Sequence, residues 1–350
     1  MSFLSLNQTR LSKILLYILL VFFAPIGIPS EEKKPTTDAD KKPKTEKKEL
    51  KPGKKWGYVY SNSFEKFHPD YITRIQREYD VLCVTGLLLR GNGQIRFINE
   101  LMNKLQKAGI NHKKNKPIVY PMISLSTVKD GVNFFSNDSA RQKSIENINN
   151  FLKEHEFTGI HLDFEGLPQE FAKPLAAYLK SLKEELNKNG FKLSFALFPQ
   201  IDFGDERLFH KPDLIAKAVD EIVLMAYDYH NTKTPAGCVS NDVWAKKNLE
   251  EILKHFKPDQ IWLGIPAYGY EWFVGSKRVS VLSARDGYEL IRLFPFSREE
   301  KGCLKISRKE KNKESFIYFA DSELRASLDE QRNEFGLLGT AIWRLGMEED

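Results

Sequence analysis

Short runs of apolar and β-branched residues alternate along this chain with longer stretches whose apolar positions recur every three to four residues, the pattern of repeated βα units. The runs that read as strands are Trp56–Tyr60, Val81–Leu89, Ile118–Ser124, Gly159–Glu165, Leu193–Phe198, Ile222–Tyr227, Ile261–Ala267 and Thr340–Leu345. Helices are expected over Ile95–Lys107, Ala140–Glu154, Glu170–Asn187, Pro212–Val219, Val243–Lys257 and Ser322–Phe335, with Gly109 and Gly190 as stop signals before strands. Eight such units in roughly 300 residues is the size of a (β/α)8 TIM barrel. A doubly wound open sheet is the alternative, but no G-x-G-x-x-G follows the first strand. The stretch from Tyr270 to Ser315 is too long for a loop. Val279–Leu282 reads as a strand, Ala284–Leu293 as a helix and the charged segment up to Ile317 as a hairpin. A small α+β insertion between strands seven and eight, at about 270–317, is therefore expected to form one wall of the cleft.

The amino-terminal end follows a different pattern. Arg10 and Lys13 precede the apolar run Ile14–Ile28, the order of a secretory signal or an amino-terminal anchor. At about 15 residues it is shorter than the roughly 20 that span a bilayer, which favours a signal. Pro25 and Pro29 interrupt the small-x-small cleavage pattern, so an uncleaved membrane tether stays open. Ser30–Gly53 is almost wholly Lys, Glu, Asp, Thr and Pro, too polar to bury a core. The organisation expected is a signal or anchor over 1–29, a linker over 30–53 and a barrel over 54–350, exported in either case: secreted, periplasmic or envelope-tethered.

Composition narrows the class. The 350 residues are 41% hydrophobic and 29% charged, which describes a globular chain. The net charge of +6 comes largely from the lysine-rich linker, and Glu310 interrupts the basic run Arg308–Lys313, so no nucleic-acid surface is expected. Cys83, Cys238 and Cys303 are too few and too far apart for a disulfide framework or a C-x-x-C metal site. Cys83 lies in an apolar run and reads as core, and a single bridge among the three stays open. Asn137-Asp-Ser139 is a glycosylation sequon that matters only in a eukaryotic secretory pathway.

The chemistry concentrates in Thr158-Gly-Ile-His-Leu-Asp-Phe-Glu165. On a strand, Ile160, Leu162 and Phe164 share one face, and His161, Asp163 and Glu165 share the other. Two carboxylates and an imidazole on one face of a buried strand would cost several kcal/mol each if unpaired. A parallel barrel strand resolves this, because inward residues at its carboxyl end line an active-site mouth. A lone D-x-E is otherwise common on a solvated edge strand.

This stretch resembles the strand-four signature of glycoside hydrolase family 18, the chitinase-like hydrolases, D-G-x-D-x-D-x-E. Met225-Ala-Tyr-Asp-Tyr-His230 resembles the family's M-x-Y-D at strand six, Leu263–Gly269 its strand-seven segment, and Ala341–Gly346 its strand-eight tryptophan. The likeness covers roughly residues 54–350 and is nearest the bacterial spore-cortex and cell-wall branch. Thr158 and His161 stand where the longer signature has its first two acids, whereas Asp163 and Glu165 are kept.

The resemblance implies substrate-assisted retaining hydrolysis of a β-linked N-acetylhexosamine polymer, chitin- or peptidoglycan-like, with no cofactor. Glu165 would be the acid and base, Asp163 would hold the acetamide N–H, and Tyr227 would donate to the acetamide oxygen. Asp228 would bind a sugar hydroxyl and Trp343 would floor the ring. Apart from the resemblance, Tyr58, Tyr60, Tyr268 and Trp272 are candidates to stack on sugars, although aromatics at strand ends more often pack. His161 reads as a partner of Asp163, and a monomer is expected. Two other classes remain: a metal-dependent hydrolase using His161, Asp163 and His230, and a catalytically silent carbohydrate-binding protein on the same fold.

Overall fold

The computed structural model describes residues 53–113, 116–310 and 313–349. The expected export segment and nearly all of the tether lie outside the described residues. The chain runs β1 (Lys54–Tyr60), α1 (Pro69–Glu78), β2 (Val81–Leu89), β3 (Ile95–Arg96), α2 (Ile98–Lys107), β4 (Ile118–Leu125), α3 (Val128–Phe135), α4 (Asp138–Glu154) and β5 (Gly159–Asp163). Next come α5 (Ala172–Asn187), β6 (Lys192–Leu197), α6 (Pro212–Ile215), β7 (Glu221–Leu224), α7 (Asp242–Ile252) and β8 (Ile261–Pro266). An insertion supplies β9 (Tyr268–Phe273), β10 (Val279–Ser283), α8 (Ala284–Ile291), β11 (Phe296–Arg298), β12 (Leu304–Glu310) and β13 (Lys313–Phe319). The chain then returns through α9 (Ser322–Phe335) and β14 (Gly339–Trp343).

Strands β1, β14, β8, β7, β6, β5, β4 and β2 pair in that order, all parallel, and β2 closes on β1. This is the (β/α)8 barrel that the alternating pattern predicts. Its axis is filled by inward side chains, among them Trp56, Tyr58, Cys83, Tyr120, Met122, Val223 and Trp262. Outward residues such as Ile160, Leu162 and Phe164 pack against the helical layer. The insertion is a five-stranded antiparallel sheet, ordered β10-β9-β13-β12-β11, with α8 against it around Leu304, Ile306, Ile317 and Phe319.

Several expected boundaries shift for local reasons. The helix expected over Ile95–Lys107 is divided, because Ile95 and Arg96 pair back onto Leu89 and Leu88, and Phe97 then turns with φ 68°. The fourth barrel strand ends at Asp163 rather than Glu165: its last partners are Ser124 on β4 and Phe195 on β6, and nothing pairs beyond them. Helices α1 and α3 were not anticipated. Both carry start signals, His68 followed by Pro69 for α1 and Thr127 accepting from the Asp130 N–H for α3, but they are short and sit close to flanking turns.

Candidate active site

The carboxyl ends of the parallel strands surround a cleft of about 390 Å³, and the sequence-predicted acids lie in it. Asp163 is the last residue of β5, and Glu165 stands two residues later, just before Gly166 turns the chain with φ 76°. Their carboxyl groups hydrogen-bond each other. Asp163 Oδ1 is buried and has no hydrogen-bond partner among the described residues. Glu165 is open to solvent from above, although protein surrounds it on the remaining sides, as at the bottom of a well.

That setting decides which group keeps a proton. Glu165 is held well above the ordinary carboxyl range by its enclosure, by the negative charge of Asp163 and the hydrogen bond to it, and by the charge of Asp228; Lys233 offsets this in part. Asp163 is also raised by burial, but the hydrogen bond from Glu165 works in the opposite direction. The arrangement places the proton on Glu165, between two carboxyls, with Asp163 as the acceptor.

Tyr227 and Asp228 follow β7. The Tyr227 ring is nearly parallel to Trp343 at 6.5 Å, and Asp163, Asp228 and Glu165 are all close enough to push its hydroxyl further toward the protonated form, after burial. Gly264 on β8 permits this approach, since a Cβ there would meet the Leu224 carbonyl at 2.6 Å and the Tyr227 ring at 3.0 Å. Asp228 adopts φ 62°, a conformation Asp tolerates better than most residues. Its Oδ1 accepts from the hydroxyls of Tyr268 and of Tyr270, the latter at 2.7 Å. Burial raises its pKa, and these two bonds pull against that rise. Trp343 lies half-buried on the floor, 5.1 Å edge-on from Tyr58.

Three expected roles change. Tyr58 is 2% exposed and its hydroxyl pairs with His161 Nε2 at 3.0 Å, so it supports the floor and offers no stacking face. Tyr268 is buried and spends its hydroxyl on Asp228, which makes it a holder of that carboxylate and not a stacking surface. Trp272 packs on Tyr270 and Tyr318, and does not line the cleft. Tyr60 does line it.

His161 is the fourth correction. It does not touch Asp163: Nδ1 meets Ser194 Oγ at 2.9 Å and Nε2 meets Tyr58. Burial pushes it down to about 3, so the ring is neutral. With both nitrogens engaged it has no lone pair to offer a metal, and the described residues contain no cluster of three or more His, Cys, Asp or Glu that would hold one. His230 bonds the Pro235 carbonyl away from these residues.

Sequence reasoning missed Tyr270, whose alternation with Tyr268 along one strand face was the available signal, and His210, for which there was none. The bridge left open among the cysteines is Cys238–Cys303, and Cys83 is buried and free. It joins the loop after Asp228 to the insertion, where His230 N–H bonds the Cys238 carbonyl at 3.2 Å.

Residues 54–347 match the family model of glycosyl hydrolases family 18. The chain belongs to that family. It is 25% identical over 225 residues to the uncharacterized glycosylase YvbX of Bacillus subtilis, covering 61% of this chain and 65% of that protein. It is 24% identical over 248 residues to the cortical fragment-lytic enzyme of Bacillus anthracis, covering 65% of this chain and 57% of that protein. The match thus spans less than two thirds of the length of either curated relative. Among solved structures, a chitinase from Chromobacterium violaceum superimposes with a TM-score of 0.72 at 19% identity, over 85% of this chain and 96% of that one. The Bacillus megaterium spore cortex-lytic enzyme SleL gives 0.71 at 20% identity, over 85% and 72%. Against the family 18 signature, Thr158 and His161 remain the departures, and the second of them is absorbed by Tyr58 and Ser194.

Proposed function

We propose that this protein is a glycosidase that hydrolyses β-linked N-acetylhexosamine polymers by a substrate-assisted, retaining route. The observation that carries the reading is the pairing of Glu165 with Asp163 in the cleft, with Asp163 Oδ1 buried and without a partner among the described residues. A direct double displacement needs a nucleophilic carboxylate about 5–5.5 Å from the acid. Asp163 is too near to Glu165 for that, and Asp228 has an oxygen committed to two tyrosine hydroxyls. The sugar's own 2-acetamido oxygen supplies the missing nucleophile.

In this mechanism Glu165 gives its proton to the glycosidic oxygen as the acetamide oxygen bonds to the anomeric carbon and the leaving sugar departs. Asp163, whose Oδ1 is an unused acceptor, turns its carboxylate to the acetamide N–H and opposes the positive charge that develops there. Tyr227 donates to the acetamide oxygen, and Trp343 supports the ring from beneath. Glu165, now ionised, removes a proton from water, which opens the cyclic intermediate with net retention. Export to an oxidising compartment is part of the proposal, and the buried Cys238–Cys303 bridge supports it.

The test compares one polymer before and after removal of its 2-acetamido groups. Cleavage should occur only beside acetylated sugars. Equal cleavage of both, or near-normal turnover in Glu165→Gln, would overturn the reading.

A further inference from the structure

The cleft floor continues outward from Trp343. Tyr60 meets it edge-on at 5.8 Å and is 40% exposed, which makes it the most open large aromatic of the lining. The guanidinium of Arg344 lies over the Tyr60 ring, 4.1 Å from its centre. Among the described residues its one hydrogen bond is a long one, to Ser63 Oγ at 3.5 Å. Five other partly buried arginines are paired with carboxylates, Arg141 with Asp138, Arg298 with Asp321, Arg308 with Glu271, Arg325 with Glu349 and Arg332 with Asp329, whereas Arg74, which also lies over a tyrosine ring, is outside the cleft. Among the described residues Arg344 has no such partner. It is half-buried, fixed in plane by the tyrosine, and leaves most of its five donors unused at the rim of a substrate cleft.

The charge balance of the cleft gives this cation a purpose. Asp163, Glu165 and Asp228 line the interior, and Lys233, whose charge acts on Glu165, is paired with Glu206. An anionic polymer would be repelled from such a mouth unless a free cation received it, and a neutral polymer would need none. A guanidinium held flat matches a carboxylate through two parallel N–H bonds.

We infer that Arg344, presented on Tyr60 beside Trp343, binds a carboxylate carried by the glycan, so that the preferred substrate is an acetylated polymer with acidic substituents. The inference rests on the glycosidase reading above and narrows it to one class of polymer. The carboxyl group belongs to a sugar adjoining the one over Trp343, because Tyr60 extends the floor in that direction. The contact is made in ground state and transition state alike, so it acts through KM more than kcat.

The experiment uses peptide-free bacterial cell-wall glycan strands, the same strands with their carboxyl groups amidated, and chitin oligomers. For the wild-type protein, amidation should lower kcat/KM by about tenfold or more, the worth of one charged hydrogen-bonded contact, and raised ionic strength should shrink the preference. In Arg344→Gln the two strands should be cut alike, and Arg344→Lys should restore part of the preference. Equal wild-type cleavage of native and amidated strands would sink the inference while leaving the glycosidase reading intact, as would an undiminished preference in Arg344→Gln. No cleavage of any of the three polymers would overturn both. The amidation and salt comparisons need no variant, so a misfolded substitution would not shield the idea.

Discussion

His210 bridges two strand ends, and its partner on one side is the carbonyl of Phe164, the residue that precedes Glu165, at 2.8 Å. On the other side Nδ1 accepts the Phe198 N–H at 3.1 Å, which assigns the ring proton to Nε2 and makes His210 a donor to Phe164. The ring is wholly buried and stacked on Phe198 at 4.5 Å. The imidazole therefore fixes the backbone from which the proton donor projects, and only its neutral form ties that backbone to Phe198 as well, because a protonated Nδ1 can no longer accept.

His210→Gln should accordingly lower kcat by about tenfold with little change in KM, since a misplaced donor weakens the transition state more than binding. Burial holds the folded imidazole at about 4, against 6.5 for the free side chain. As pH falls the unfolded chain takes up its proton first, so the stability owed to neutral His210 is complete above about 6.5 and is lost between there and about 4. Melting temperatures recorded across that window should fall less steeply in the variant. His161, held down by burial as well, contributes a slope of the same sign.

Glu165→Gln should reduce hydrolysis by about 10²–10⁴-fold while oligosaccharide still binds. It should also stabilise the fold at neutral pH. The folded carboxyl keeps its proton well above the unfolded value of 4.5, so in the wild type stability declines as pH rises from about 4.5 toward the raised value. Glutamine removes that decline. A melting-temperature advantage that grows with pH is expected, and an advantage largest in acid would contradict the assignment.

Tyr270→Phe removes one of the two hydroxyls on Asp228 Oδ1. The Asp228 pKa, already raised by burial, should rise further, and the acid limb of the activity profile should move to higher pH. A tenfold loss of kcat/KM at neutral pH is about the size of one hydrogen bond to a charged group. Tyr268→Phe should act in the same direction, and a shift toward acid in either variant would argue against an ionised Asp228.

Replacing Cys238 and Cys303 together by serine should cost about 2–4 kcal/mol of stability, measured by denaturant unfolding, because the bridge closes a loop across a separation of 65 residues. Activity should fall too, since the loop after Asp228 loses its tie to the insertion. Chemical reduction of the wild type should give the same result.

The barrel was legible because its strands are buried on both faces and its helices on one, which leaves distinct periods in the chain. The acids Asp163 and Glu165 were legible because polar residues on a buried face demand an explanation. Partners were not. Alternation placed His161 on the face of Asp163, but a strand in a closed barrel also faces strands across the axis, and Tyr58, 103 residues earlier in the chain, reached the imidazole. Tyr268 and Tyr58 were candidates to stack on sugars at strand ends, where aromatic residues more often pack, and only the fold reveals that each hydroxyl is already spoken for. His210 lies in a loop with no periodic pattern, and its two backbone partners leave no trace in the sequence.

The chain leaves β8 at Pro266 and enters β9 at Tyr268, so one nearly unbroken run serves the barrel wall and the added sheet. The added sheet is thus not a detachable module. The distal ends of β12 and β13, at Glu310 and Lys313, can drift or lengthen with little effect on the carboxylates, whereas β9 is tied to Asp228 by two phenols and the turn before β12 is held by the Cys238–Cys303 bridge. Natural variation and laboratory grafting should both follow that division, with diversity gathering at those distal ends and chimeras surviving only where Tyr268, Tyr270 and Cys303 are all kept.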